Sequence, residues 1–277
     1  MAPPNFPNGM TLHSIGFAAL RYPELPPNPP VPLNNQVGVL QHEPPAAQNH
    51  EVAQIASQYL QALLEYQTSD DPVLNDPSSP QYYFSTAICL LNFLNMNPDV
   101  CKRIATHPTL VNSVVEKMLA PDFPNNMKNV QRPMIGPFPP ATFDDDFGSI
   151  LQFLSTLLLY TDEMETRHPR INELIPKLRT WKQEYKHSRV KTISRAADRL
   201  VDQIQGMDRQ MITMMRSMQE QNLVCGVASC RVTGASMTAC GGCRVQRYCS
   251  KDHQKADWKH HKHICNKGLV DPAAETT

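Results

Sequence analysis

Residues 225–265 read CGVASCRVTGASMTACGGCRVQRYCSKDHQKADWKHHKHIC, from Cys225 to Cys265, and hold six of the chain's eight cysteines and four of its ten histidines. The donors come in short pairs. Cys225 and Cys230 flank four residues, Cys240 and Cys243 flank Gly241-Gly242, Cys249 and His253 flank three, and His261 and Cys265 flank three. Short pairs suit a metal, because two side chains must converge on one ion about 2.0 to 2.3 Å away. Gly241 and Gly242 are expected to let the backbone fold under the ion. The last two pairs fit a helix, where positions i and i+4 share a face. That spacing selects His261 over His260 and His263 as the partner of Cys265.

Eight donors in two sets of four make two tetrahedral sites, and thiolate with imidazole and no carboxylate favours zinc. Disulfides are the alternative use of these cysteines, but they need an oxidising compartment to which nothing in the sequence directs the chain. Closed four-ligand shells leave no position for a water, so the zinc is expected to be structural. A segment this short and poor in large apolar residues needs metal to fold.

The run Arg247-Tyr248-Cys249-Ser250-Lys251, then Gln254, Asp257-Trp258 and His261-Lys262 before Cys265, resembles a MYND zinc finger. The resemblance implies a cross-braced pairing, with Cys225, Cys230, Cys249 and His253 on one zinc and Cys240, Cys243, His261 and Cys265 on the other. Spacing alone leaves the pairing open. Two positions depart from the family pattern: the first pair is wider than the usual CxxC, and His253 stands where the family carries cysteine, with Asp252 the neighbouring alternative donor. The resemblance also implies a reader of proline-rich PxLxP segments, its groove lined at the positions of Gln254 and Trp258. An extended polyproline segment loses little entropy on docking against an aromatic wall.

Between Cys225 and Cys265 seven lysines and arginines face two aspartates, a net charge of +5 that six thiolates and two zinc ions bring to +3. No long basic recognition helix accompanies it, so a DNA-binding regulator is the weaker reading. Over the whole chain the formal net charge is zero, which argues against nucleic acid or membrane as partner of the remainder. No lysine or arginine precedes Arg21, so neither a signal peptide nor a mitochondrial presequence is expected. The apolar run Ile150 to Tyr160 is too short to span a bilayer. Free thiols then suggest an intracellular protein, cytoplasmic or nuclear.

Composition divides the rest. Residues 1–47 form a proline-rich segment expected to lack regular structure. It contains Pro23-Glu24-Leu25-Pro26-Pro27, itself a PxLxP sequence and a candidate ligand for the chain's own finger. Residues 48–205 read as a helical body. Val52, Ile55, Ala56, Tyr59, Leu60, Leu63 and Leu64 form one apolar face; further helices are expected over Tyr83 to Met96, Asp99 to Ile104 and Thr109 to Leu119. This succession is similar to armadillo-like helical repeats, and Cys89 and Cys101 read as core thiols. Ala120 to Thr142 is a proline-rich connection. Asp144, Asp145 and Asp146 then open a helix at the end its dipole makes favourable for acids. Helices are also expected around Ile171 to Trp181 and Val190 to Ile204. Residues 206–223 are a connecting helix whose Met207, Met211, Met214, Met215 and Met218 are expected to pack between body and finger. The finger spans 224–266, and 267–277 is a polar tail.

Enzymatic readings fail on motifs. MYND fingers accompany SET-domain methyltransferases and an oxygen-sensing dioxygenase, but the chain has no His-x-Asp, no Asn-His-Ser-Cys, no phosphate loop and no GxSxG elbow. The expected fold is therefore mainly α, an armadillo-like helical body followed by a cross-braced two-zinc finger. The expected function is a non-catalytic adaptor for proline-rich partners. A ubiquitin-ligase adaptor and a transcriptional co-regulator are the alternatives.

Overall fold

The computed structural model describes residues 45–68, 88, 91–107, 109–129, 142–161 and 168–265. The Pro23–Pro27 segment, Cys89, half of the 83–96 helix expectation (83–87, 89 and 90), residues 130–141 and the tail from 266 lie outside them. The described residues are mainly helical. Helices α1 (Pro45–Gln67), α2 (Pro98–Ala105), α3 (Leu110–Leu119), α4 (Phe143–Leu157), α5 (Leu174–Glu184) and α6 (Lys191–Gln205) build the body. Helix α7 (Arg209–Glu220) leads to strands β1 (Thr238–Ala239) and β2 (Arg247–Tyr248) and to helix α8 (Lys251–His261).

Two of the body helices, α2 and α4, start at a side-chain cap. Asn97 accepts from the backbone N–H groups of Asp99 and Val100, and Pro98 occupies the first helical position, where a missing N–H costs nothing. Thr142 and Asp145 form a reciprocal capping box at the start of α4. Asp144 accepts a 2.7 Å hydrogen bond from the Ser188 hydroxyl. Both of these acids therefore serve the fold. At the other end of the body, Gly206 closes α6 with φ 105°, a left-handed conformation that glycine adopts without strain. The C-terminal carbonyls of α3 are closed from a distance: the Lys177 ammonium donates to the carbonyls of Met118, Leu119 and Ala120 at 2.7 to 3.1 Å.

The apolar faces meet as their spacing predicts. Val52, Ile55, Ala56, Leu60, Leu63 and Leu64 of α1 are buried, as are Leu110, Val114, Val115 and Met118 of α3. Helix α6 lies across α4 and α5. Within that contact the Ser155 hydroxyl donates to Oε1 of Gln203, and Nε2 of Gln203 returns a bond to the Ser155 carbonyl, each at 2.8 Å. The Ala120–Thr142 connection is not featureless. Residues 121–129 form turns and a 3-10 helix, Asn125–Asn129, which place Phe123 edge-on to both Phe147 and Trp181 at 5.7 Å.

Helix α7 departs from expectation. Met211, Met214 and Met218 are 46%, 52% and 60% exposed, and no residue of the helix is fully buried. Periodicity identifies a stripe but not the direction it faces, and here polar contacts set that direction. Tyr160 donates to Gln219 at 2.6 Å, Nε of Arg216 donates to the Leu159 carbonyl at 2.5 Å, and Lys102 pairs with Glu220 at 3.2 Å. Ile212 and Met215 pack inward and the remaining methionines face solvent.

The apolar core does not stop at α7. Leu223, Cys225, Met237, Cys240, Cys243, Val245 and Tyr248 join the same buried cluster as the body helices.

Candidate metal centre

Three backbone devices position the donors. Around the first pair, the Cys225 N–H bonds to the Val232 carbonyl at 3.2 Å and the Cys230 N–H to the Val227 carbonyl at 2.8 Å, so the wide loop folds back on itself. Gly226 is tightly enclosed: a Cβ there would come within 2.6 Å of Gln246 Nε2 and 2.7 Å of Tyr248 Cε1. In the second pair, the Cys240 N–H donates to the Gln246 carbonyl at 2.7 Å and the Arg244 N–H returns to the Cys240 carbonyl at 2.9 Å. The left-handed residue of this turn is Arg244, at φ 54°, and neither Gly241 nor Gly242 has positive φ. The glycines were expected to carry the turn's unusual backbone; the residue after the second cysteine carries it.

The third device is α8. Ser250 caps it by accepting from the His253 N–H, which places Cys249 before the cap and His253 in the first turn. His261 ends the helix and Cys265 follows it, its N–H donating to the His261 carbonyl at 2.8 Å. Each i, i+4 pair thus straddles one end of α8 rather than lying along it.

The donors gather in two sets. Cys225, Cys230, Cys249 and His253 form one, Cys240, Cys243, His261 and Cys265 the other, with the ligand atoms of each set within 4.8 Å of one another. In the first set, Nδ1 of His253 lies 3.5 Å from Cys225 Sγ and 3.1 Å from Cys249 Sγ, and Cys230 Sγ lies 3.7 Å from Cys249 Sγ. In the second, Nε2 of His261 lies 3.5 Å from Cys243 Sγ, and the sulfurs of Cys240 and Cys265 are 3.9 Å apart. A tetrahedron with Zn–S of about 2.3 Å and Zn–N of about 2.0 Å has edges of about 3.5 to 3.8 Å. The donor spacing therefore fits two zinc ions, and sulfurs 3.7 and 3.9 Å apart are far beyond the ~2.05 Å of a disulfide. His261 is 2% exposed, while His260 and His263 are exposed.

Thiolates are the ligating form. The Cys240 thiol, and after it His261, Ser57 and the backbone at Gln246, favour the Cys243 thiolate strongly enough to outweigh its burial and bring its pKa to about 3. A backbone N–H at Val232 lowers the pKa of Cys230.

The spacing of cysteines gave no sign that the body reaches this site. The Ser57 hydroxyl, in the middle of α1, lies 3.4 Å from Cys243 Sγ and 2.7 Å from the Ala53 carbonyl. On the other side, Arg247 of β2 grips Asp99 of α2 with two donors and spends its third nitrogen on the carbonyls of Ala235 and Met237, both at 2.9 Å.

The residues expected to line a peptide groove sit on α8. Trp258 is 42% exposed, its ring 6.0 Å from that of His261, and Gln254 is half-buried one turn earlier. Beneath them Tyr248 is buried and donates to Asp257 at 2.7 Å. The hydroxyl's pKa is raised by burial and then by that carboxylate.

Residues 225–265 match the family model described as MYND finger. No curated protein and no solved structure matches the chain, so the likeness of the body to armadillo repeats rests on its sequence alone. A MYND finger is a zinc-binding, protein-interaction module, and this chain carries one at residues 225–265.

Proposed function

With residues 225–265 a MYND finger, we propose that the chain is a non-catalytic adaptor whose finger binds short proline-rich peptides of the PxLxP kind across Trp258 and Gln254. The observation that carries this reading is the placement of Trp258. A large indole is left 42% exposed on a helix otherwise rich in charge, with its ring 6.0 Å from that of the zinc-site residue His261. Anchoring aromatics of this kind dominate interface energetics, and a rigid ring beside an extended segment offers proline a flat apolar wall.

Two further points support it. Four protein donors in each set close the coordination shell, which leaves the ions a structural role. The thiol-rich sites also suit a reducing compartment, so the proposal places the chain in the cytoplasm or nucleus.

The test is titration of the full chain with a labelled PxLxP peptide, alongside Trp258→Ala. Binding that weakens at least about tenfold in the variant, at unchanged zinc content, is the expected result. Equal affinity in both proteins removes the groove assignment.

A further inference from the structure

We infer that the peptide site is bordered by a lysine row and selects proline-rich segments flanked by acidic residues; the inference rests on the peptide-binding reading above and names its partner class. At about 100° per helical residue, Lys251, Lys262 and Lys255 fall about 20°, 40° and 60° around the axis from Trp258, and Lys259 about 100°. Gln254 lies about 40° on the other side, and the zinc-side residues His261, Asp257 and His253 lie beyond it, at about 60° to 140°. Trp258 thus stands where the arc facing the zinc gives way to a run of lysines.

All four lysines are exposed, and among the described residues none forms an ion pair. Surface bases of the body show both arrangements: among the described residues Arg179, Arg189 and Arg195 are exposed and form no ion pair either, whereas others are paired. Lys102 pairs with Glu220, Arg170 with Glu116 and Glu173, and Lys182 with Asp198. The two acids of α8 offer the row little compensation. Asp257 is engaged by the Tyr248 hydroxyl, and Asp252, on the lysine side about 120° around the axis from Trp258, borders only the far end of the row at Lys255 and Lys259 and leaves Lys251 and Lys262, nearer Trp258, uncompensated. In a chain with a formal net charge of zero, this leaves a local positive border along the shoulder where the peptide docks. An acidic residue beside the proline core reaches it without desolvating the groove. Exposed pairs of this kind are individually weak and screened by salt, so two or three of them give about 5- to 10-fold selectivity at low ionic strength.

The experiment uses the full chain and fluorescence anisotropy with labelled peptides that share one PxLxP core and carry acidic, neutral or lysine flanks, at about 0.05 M and 0.5 M salt. An acidic peptide lacking the prolines and a short DNA duplex complete the set. The acidic-flanked peptide should bind about 5- to 10-fold tighter than the neutral one at low salt, and the gap should close at high salt. The double variant Lys255→Glu, Lys262→Glu should reverse the order, at unchanged zinc content. Equal binding of acidic and neutral peptides overturns the lysine border while the peptide reading stands. Tighter binding of duplex, or equal binding of the proline-free acidic peptide, also overturns it. If no PxLxP peptide binds, the underlying reading fails and takes this inference with it.

Discussion

Arg247 donates from Nε and Nη2 to the two carboxylate oxygens of Asp99 at 2.5 and 2.7 Å, and this fork ties strand β2 of the finger to the first turn of α2 in the body. Asp99 is buried and Arg247 nearly so. Hydrogen bonding to Asp99 holds the guanidinium pKa above its usual value. Removing either partner leaves the other charge poorly solvated, a loss of about 2 to 4 kcal/mol. A double-mutant cycle with Asp99→Asn and Arg247→Met, followed by urea unfolding, should return a coupling of about 1 to 3 kcal/mol. Arg247→Lys should not rescue, because an ammonium cannot reproduce the two-pronged contact. Additive single variants would show that the fork does not join the two parts energetically.

Ser57 has one hydroxyl proton and two acceptors, the Ala53 carbonyl and the Cys243 sulfur. A zinc-bound thiolate is the charged acceptor and draws the proton toward sulfur. Contacts of this outer kind typically change metal affinity 10- to 100-fold, and sharing with Ala53 places this one near the lower end. Ser57→Ala should therefore release one of the two zinc ions about tenfold faster to a chromogenic chelator, with the helix content of the body unchanged. Identical release from both proteins would assign the proton to Ala53 alone.

Gly226 has no room for a side chain. A methyl group would meet the buried Gln246 amide and the Tyr248 ring at 2.6 and 2.7 Å, and the ring is held by its bond to Asp257. Gly226→Ala should cost about 1 to 3 kcal/mol through forced repacking, read as a lower unfolding midpoint. By contrast Gly241→Ala, in open space and without positive φ, should be close to neutral. A neutral Gly226→Ala would mean that Tyr248 and Gln246 yield more easily than their burial implies.

Much of this architecture was legible in the residues. The 3.6-residue recurrence of apolar side chains from Val52 to Leu64 and from Ile193 to Ile204 marks the buried faces of α1 and α6, because local pattern alone decides which side of a helix is apolar. Short Cys/His pairs are local too, and the structure gathers their donors in the two sets that the family resemblance implies. What stayed hidden depends on distance or direction. Ser57 and Cys243 are 186 positions apart, Asp99 and Arg247 148, and nothing short-range announces either contact. The methionines of α7 repeat at helical spacing, yet Arg216 and Gln219 decide that Met211, Met214 and Met218 face outward. Gly-Gly between Cys240 and Cys243 suggested a turn built on glycine, whereas the left-handed backbone falls on Arg244.

The most direct test of a metal-built finger is native mass spectrometry of the full chain before and after chelation, with hydrogen exchange across residues 225–265. Two zinc ions per chain are expected, and their removal should strip exchange protection from β1, β2 and α8 and loosen the finger side of the shared core at Cys243 and Tyr248. A zinc-free chain that keeps residues 225–265 fully protected would contradict it.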